Sequence, residues 1–186
     1  IFALWLPILL AGVAVFLTSS VVHMVLPHHR KDFRKVPDED GVMAALRSFD
    51  LPSGDYMAPC TEGDNAAMRT DAFKAKVAAG PIVVMTVMPK GSFTDGMGKT
   101  MLVWFLFCVM VSFLVAYAAE LALAPGADYM QVFRFTCTVA FGFYALGGWP
   151  RSIWYKSSWA TTLKSTADSF LYGLMTAGVF GWLWPS

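Results

Sequence analysis

Charge is scarce in this chain. Only 15% of its 186 residues are Asp, Glu, Lys or Arg, against roughly 25% in soluble domains. Fourteen basic side chains face thirteen acidic ones, a net of +1, which excludes a nucleic-acid binder working through gross positive charge. Cysteine is scarce too. Cys60, Cys108 and Cys137 form no CxxC pair and two lie in apolar runs, so neither a disulfide framework nor a zinc site is indicated. They read as small buried hydrophobes. The motifs of soluble enzymes are missing: there is no GxGxxG, GxxxxGK(S/T), HExxH or GxSxG. What is abundant is apolar. Hydrophobic residues make up 56% of the chain and mean hydropathy is +0.53. That excludes a disordered tail and points to a membrane.

A bilayer core about 30 Å thick takes about 20 apolar residues in a helix. Four stretches qualify: 1–26, 101–124, 130–149 and 161–184. The first lacks the basic leading region and the A-x-A site of a signal peptide, so it reads as a retained span. The expected fold is an all-α transmembrane four-helix bundle, with a small α+β cytoplasmic insert, 27–100, between helices 1 and 2.

Orientation follows from Lys and Arg, which stay on the cytoplasmic side. Ten of the fourteen lie in 27–100, and the 125–129 turn and both termini have none. This predicts periplasmic termini and a cytoplasmic insert. Trp149, Trp154, Tyr155 and Trp159 at one end, with Trp182 and Trp184 at the other, stand where aromatic belts belong.

The insert is organised. Pro37–Asp40 opens a helix through about Ser48, and Asp64 or Asn65 caps a second helix running to Ala79 and stopped by Gly80. Ile82–Met88 reads as a strand, with Asp55-Tyr56-Met57 as its partner.

Candidate sites are few. Glu120 and Arg134 lie about five residues either side of the outer turn, so they are expected to form an intramembrane salt bridge. Lys164 and Asp168, spaced i, i+4, are expected to form a cytoplasmic-end polar cluster with Arg151 or His23. Gly173, Ala177 and Gly181 form a small-residue packing stripe, as do Cys108, Ser112 and Ala116. His28, His29, Arg30, Lys31, Arg34 and Lys35 form a basic stretch suited to lipid headgroups. A metal site at His23, His28 and Asp32 is disfavoured, because their i, i+5, i+9 spacing does not share a helical face and Pro27 intervenes. The methionines Met85, Met88, Met97 and Met101 read as packing rather than copper ligands. No catalytic residue, metal or cofactor is expected. Bound lipids are.

Gly148-Trp149-Pro150-Arg151-Ser152-Ile153-Trp154-Tyr155, the run from Asp168 to Phe180-Gly181-Trp182-Leu183-Trp184-Pro185, Gly54-Asp55-Tyr56-Met57-Ala58-Pro59 and Gly80-Pro81 resemble segments of small bacterial integral membrane proteins of unknown function. The resemblance implies topology and a bacterial inner-membrane location, but no activity.

Three functions compete. The first is a non-catalytic accessory or scaffold subunit of a larger membrane complex, photosynthetic or respiratory, with lipids and other membrane subunits or itself as partners and no nucleic acid. The second is a small transporter or channel component, for which inverted repeats and a polar midplane are missing. The third is a membrane enzyme or metal-binding protein in which His23, His28 and Asp168 converge at the cytoplasmic face.

Overall fold

The computed structural model describes residues 1–91 and 96–186. They form a mostly helical protein with one two-stranded sheet. It divides into two compact units, Ile1–Arg34 with Gly98–Ser186, and Lys35–Met97.

The first unit is built on long helices: α1 (Trp5–Ser20), α5 (Met97–Ala122), α6 (Tyr129–Ala145) and α8 (Trp159–Trp182). Among the described residues, Phe2–Val25 and Met97–Ala122 are the two helical stretches long and apolar enough to cross a membrane. The other two expected spans are more ambiguous. Seventeen-residue α6 is about 25 Å long at 1.5 Å per residue, and α8 carries Lys164 and Asp168 in a hydroxyl-rich first half. Pro150 does not end the third helix. α6 gives way at Ala145 to a 3-10 turn, Leu146–Gly148, and Pro150 sits in the first turn of α7 (Trp149–Tyr155), where its missing N–H leaves no bond unmade.

Both α1 and α6 pack on α8, and α5 closes on α1. At Gly12 an added Cβ would lie 2.7 Å from Val109 Cγ2, and at Gly173 one would lie 3.1 Å from the Cys137 carbonyl oxygen. Backbones approach that closely only over small residues. Ala177, Ser112, Ala116 and Cys108 are fully buried, and at Gly181 a Cβ would strike the Tyr129 ring at 2.6 Å. Buried hydroxyls are satisfied within their own helices, as Ser112 to Cys108 O at 2.9 Å and Thr176 to Tyr172 O at 2.9 Å. The large side chains stand outside: Leu102, Leu106 and Phe113 of α5, Phe143 of α6, and Phe170 and Trp182 of α8 are all exposed. Phe180, Tyr172 and several valines share the interior with these small residues, so large apolar side chains lie on both the inside and the outside of the helices.

In the second unit, α2 (Glu39–Ser48) is capped by Asp38, whose side chain accepts from Gly41 N. The expected helix 64–79 forms as two pieces, α3 (Asn65–Met68) capped by Asp64 and α4 (Asp71–Ala79) capped by Thr70. The break comes where the Thr70 hydroxyl takes Phe73 N as an N-cap, competing with continuation of the helix. β1 (Gly54–Ala58) pairs antiparallel with β2 (Val83–Val87), Tyr56 opposite Met85, the strands expected from the sequence. None of the described residues of this unit is buried.

Candidate functional site

α1 does not simply stop. After Ser20 the backbone widens into a π-helical turn, Val21–Val25, which carries His23. Leu26 is then extended (φ −76°, ψ 141°) and Pro27–His29 form a 3-10 turn. Proline disfavours the helical region for the residue before it, so Pro27 forces the extended step. The chain turns at that step, and His28 and His29 come against the side of α8.

There they meet Asp168. His28 Nε2 lies 3.2 Å from Asp168 Oδ1, and His29 Nε2 lies 2.6 Å from Oδ2. The other nitrogen of His29, Nδ1, is 2.5 Å from Asp32 Oδ2. Lys164 Nζ donates to Asp32 Oδ1 at 2.7 Å and to the His28 carbonyl at 2.8 Å. The His23 ring lies 4.6 Å from that of His29, and the His28 ring 4.2 Å from it. Tyr172, one turn beyond Asp168 on α8, places its hydroxyl 3.3 Å from His23 Nε2. Asp32 and Asp168 keep only 8% and 11% of their side-chain exposure.

Burial opposes a charge on His29, but hydrogen bonds with Asp32 and Asp168 outweigh it, so its pKa lies above the ordinary value. Asp32 is held below the usual carboxylate range by Lys164 first and His29 second. The ensemble is an imidazole bracketed by two carboxylates, with a lysine fixing one of them.

Beside the cluster is a cavity of about 200 Å³, lined among others by His23, Trp104, Phe107, Tyr144, Asp168 and Tyr172. Its walls are aromatic: Phe107–Tyr144 and Tyr144–Tyr172 pack edge to face at 6.1 and 5.5 Å. One ligand atom each from His23, His29 and Asp168 lies within 4.8 Å of the others, so these three are the residues placed to hold a cation.

Of the residues expected at a cytoplasmic-end polar cluster, three lie at this one. His23, Lys164 and Asp168 belong to it, but Lys164 pairs with Asp32 rather than with Asp168. Arg151 stands exposed on α7 and makes no ion pair among the described residues. His28 and His29 leave the headgroup stretch for this site, while Arg30, Lys31, Arg34 and Lys35 remain exposed, Lys35 pairing with Glu39 at 3.0 Å. The structure does not bring Glu120 and Arg134 together. Among the described residues the two form no ion pair with each other, and Arg134 lines an open hollow with Asp128, Gln131 and Thr138. The buried stripe of α6 is Val132, Thr136 and Ala140; Arg134, two residues off it, falls on the opposite side of the helix.

The role of Asp32 and Tyr172 was not foreseen. The helix-face test that set the histidines aside assumes a helix continuing through Leu26, and Pro27 was itself the sign that it does not. No protein family, curated protein or solved structure matches the chain.

Proposed function

We propose that this chain is a four-span membrane protein serving as an accessory subunit of a larger membrane complex, with the insert on the cytoplasmic side. Large apolar side chains on the outer faces of α5, α6 and α8 support four spans, because lipid rather than water is the solvent that such a surface tolerates. The concentration of Lys and Arg in 27–100 supports the orientation.

The observation that carries the subunit reading is the coreless insert. Lys35–Met97 has three capped helices and a paired hairpin, yet none of its described residues is buried. Phe49 is 69% exposed, Ile82 56% and Met43 48%. A unit this small holds little free energy to spare even with a core. An ordered one without a core draws its stability from a surface that covers it, and a neighbouring subunit is such a surface. Gentle detergent extraction, native electrophoresis and mass spectrometry of the band containing this chain test the reading. Co-migration with constant membrane partners is expected; migration alone or as a small homo-oligomer overturns it.

A further inference from the structure

The structure assigns to this protein a binding site for a divalent first-row transition-metal ion, with His23, His29 Nε2 and Asp168 as ligands. Asp32 and Lys164 are the residues that aim it.

The case begins with economy of histidine. The chain has three, separated by a π turn and a proline, and all three gather within ring-contact distance around one carboxylate. A clamp between helix ends needs one imidazole for one carboxylate, and His29 alone provides it. Among the described residues His23 has no hydrogen-bonded carboxylate: it meets the Tyr172 hydroxyl and packs on the His29 ring.

The support around His29 is that of a metal ligand. Metal-bound histidines almost always donate their second nitrogen to a carboxylate or carbonyl, which fixes the tautomer and raises the basicity of the ligating nitrogen. His29 Nδ1 is tied to Asp32 at 2.5 Å, and Asp32 is held in turn by Lys164 at 2.7 Å. Nε2 is thereby turned toward Asp168 Oδ2, 2.6 Å away. A metal bound to those two atoms takes the place that a hydrogen bond between them otherwise fills.

The distances are within reach. Metal–nitrogen and metal–oxygen bonds of about 2.1 Å put adjacent ligand atoms about 3.0 Å apart in an octahedral shell and about 3.4 Å apart in a tetrahedral one. The His29–Asp168 contact of 2.6 Å must open by several tenths of an ångström, and the other separations, none beyond 4.8 Å, close by side-chain rotation. Two imidazoles and one carboxylate suit zinc, iron(II) and their neighbours, and leave coordination positions open. Lys164 is already engaged with Asp32 and the His28 carbonyl, so its ammonium does not compete for the site.

The test uses the full chain purified in detergent on a tag without histidine, stripped with chelator and titrated with Co2+. One Co2+ per chain is expected, displaced by Zn2+. Asp168→Asn and His29→Ala are expected to weaken binding at least tenfold. Asp32→Asn is expected to weaken it by roughly 10–100-fold through the lost support, while Glu120→Gln, outside the cluster, leaves it unchanged. X-ray absorption of the cobalt-loaded wild type supplies a readout that needs no variant: all three histidines of the chain lie in this cluster, so scattering from at least two imidazoles places the metal here. A wild type that takes up no stoichiometric Co2+, or a first shell without imidazole, overturns the assignment. Undiminished binding in Asp168→Asn and His29→Ala overturns it equally.

Discussion

Asp32 lies in a basic run where a carboxylate looks like one charge among many, yet it fastens Lys164 and His29 at once. Hydrogen bonds to charged groups contribute about 1.5–3 kcal/mol each. Asp32→Ala in the metal-free protein is expected to lower stability by about 1–3 kcal/mol, read as thermal unfolding in detergent. Lys164→Ala should cost less once Asp32 is already gone, because the two share one interaction. Strictly additive losses would show that they act separately. Of this site the sequence made the participants visible, His23, Lys164 and Asp168 as an end cluster, but not their geometry. Side chains on a regular helix can be placed by counting in steps of 100°, whereas those beyond a π turn and an X-Pro step cannot. That is why His29 was assigned to headgroups and Asp32 to a rejected arrangement.

At the scale of elements, glycines of α8 separate contact from mere composition. A Cβ on Gly173 meets the Cys137 carbonyl oxygen at 3.1 Å, while one on Gly178 meets nothing within 4 Å. Gly173→Ala should therefore push α8 off α6 at a cost of roughly 1–3 kcal/mol. Gly178→Ala should be neutral or stabilising by up to about 1 kcal/mol, since alanine is the better helix former. Equal effects on thermal unfolding would mean that the close approach of the two helices is not what Gly173 is for. The stripe containing Gly173 could be read from its four-residue spacing. The matching approach at Gly12 on α1 could not, since one glycine makes no period. The strand pair of the insert was also legible, because both runs are short, β-rich and bounded by turn residues. The break in 64–79 was not. Thr70 is an ordinary helix residue until its hydroxyl takes Phe73 N.

For the whole molecule, native cysteines report on topology without engineering. Cys60 is exposed in the insert and Cys108 is buried. A membrane-impermeant maleimide should label Cys60 only after the cytoplasmic face is opened, and Cys108 should stay unmodified until denaturant is added. Labelling of Cys60 in intact cells would reverse the proposed orientation. The insert supplies a companion prediction. Val84, 43% exposed on β2, is expected to lie under a partner, so Val84→Glu should release the chain from its complex on native gels while its own thermal unfolding is unchanged. Retention in the complex would place the partner contact elsewhere. The fourfold count of spans was argued from apolar length, and that is where the molecule is least explicit. α6 is short, ending at Ala145 in a 3-10 turn, and α8 carries charge because Lys164 and Asp168 of the end cluster occupy positions a longer apolar run would have filled.

The π turn at Val21–Val25 holds one residue more than an α-helical turn closes over. Removing Val25 would let the first helix run on in regular register and give it a better-bonded end. The same deletion would leave Leu26 N bonded to the Val21 carbonyl, now as an ordinary α-helical turn, so Pro27, His28 and His29 keep their place while His23, inside the turn, moves to α-helical register. Length here is information. The surplus residue is taken up inside the turn that presents His23, so a shortened protein would keep His28 and His29 on Asp168 and lose the placing of the third imidazole.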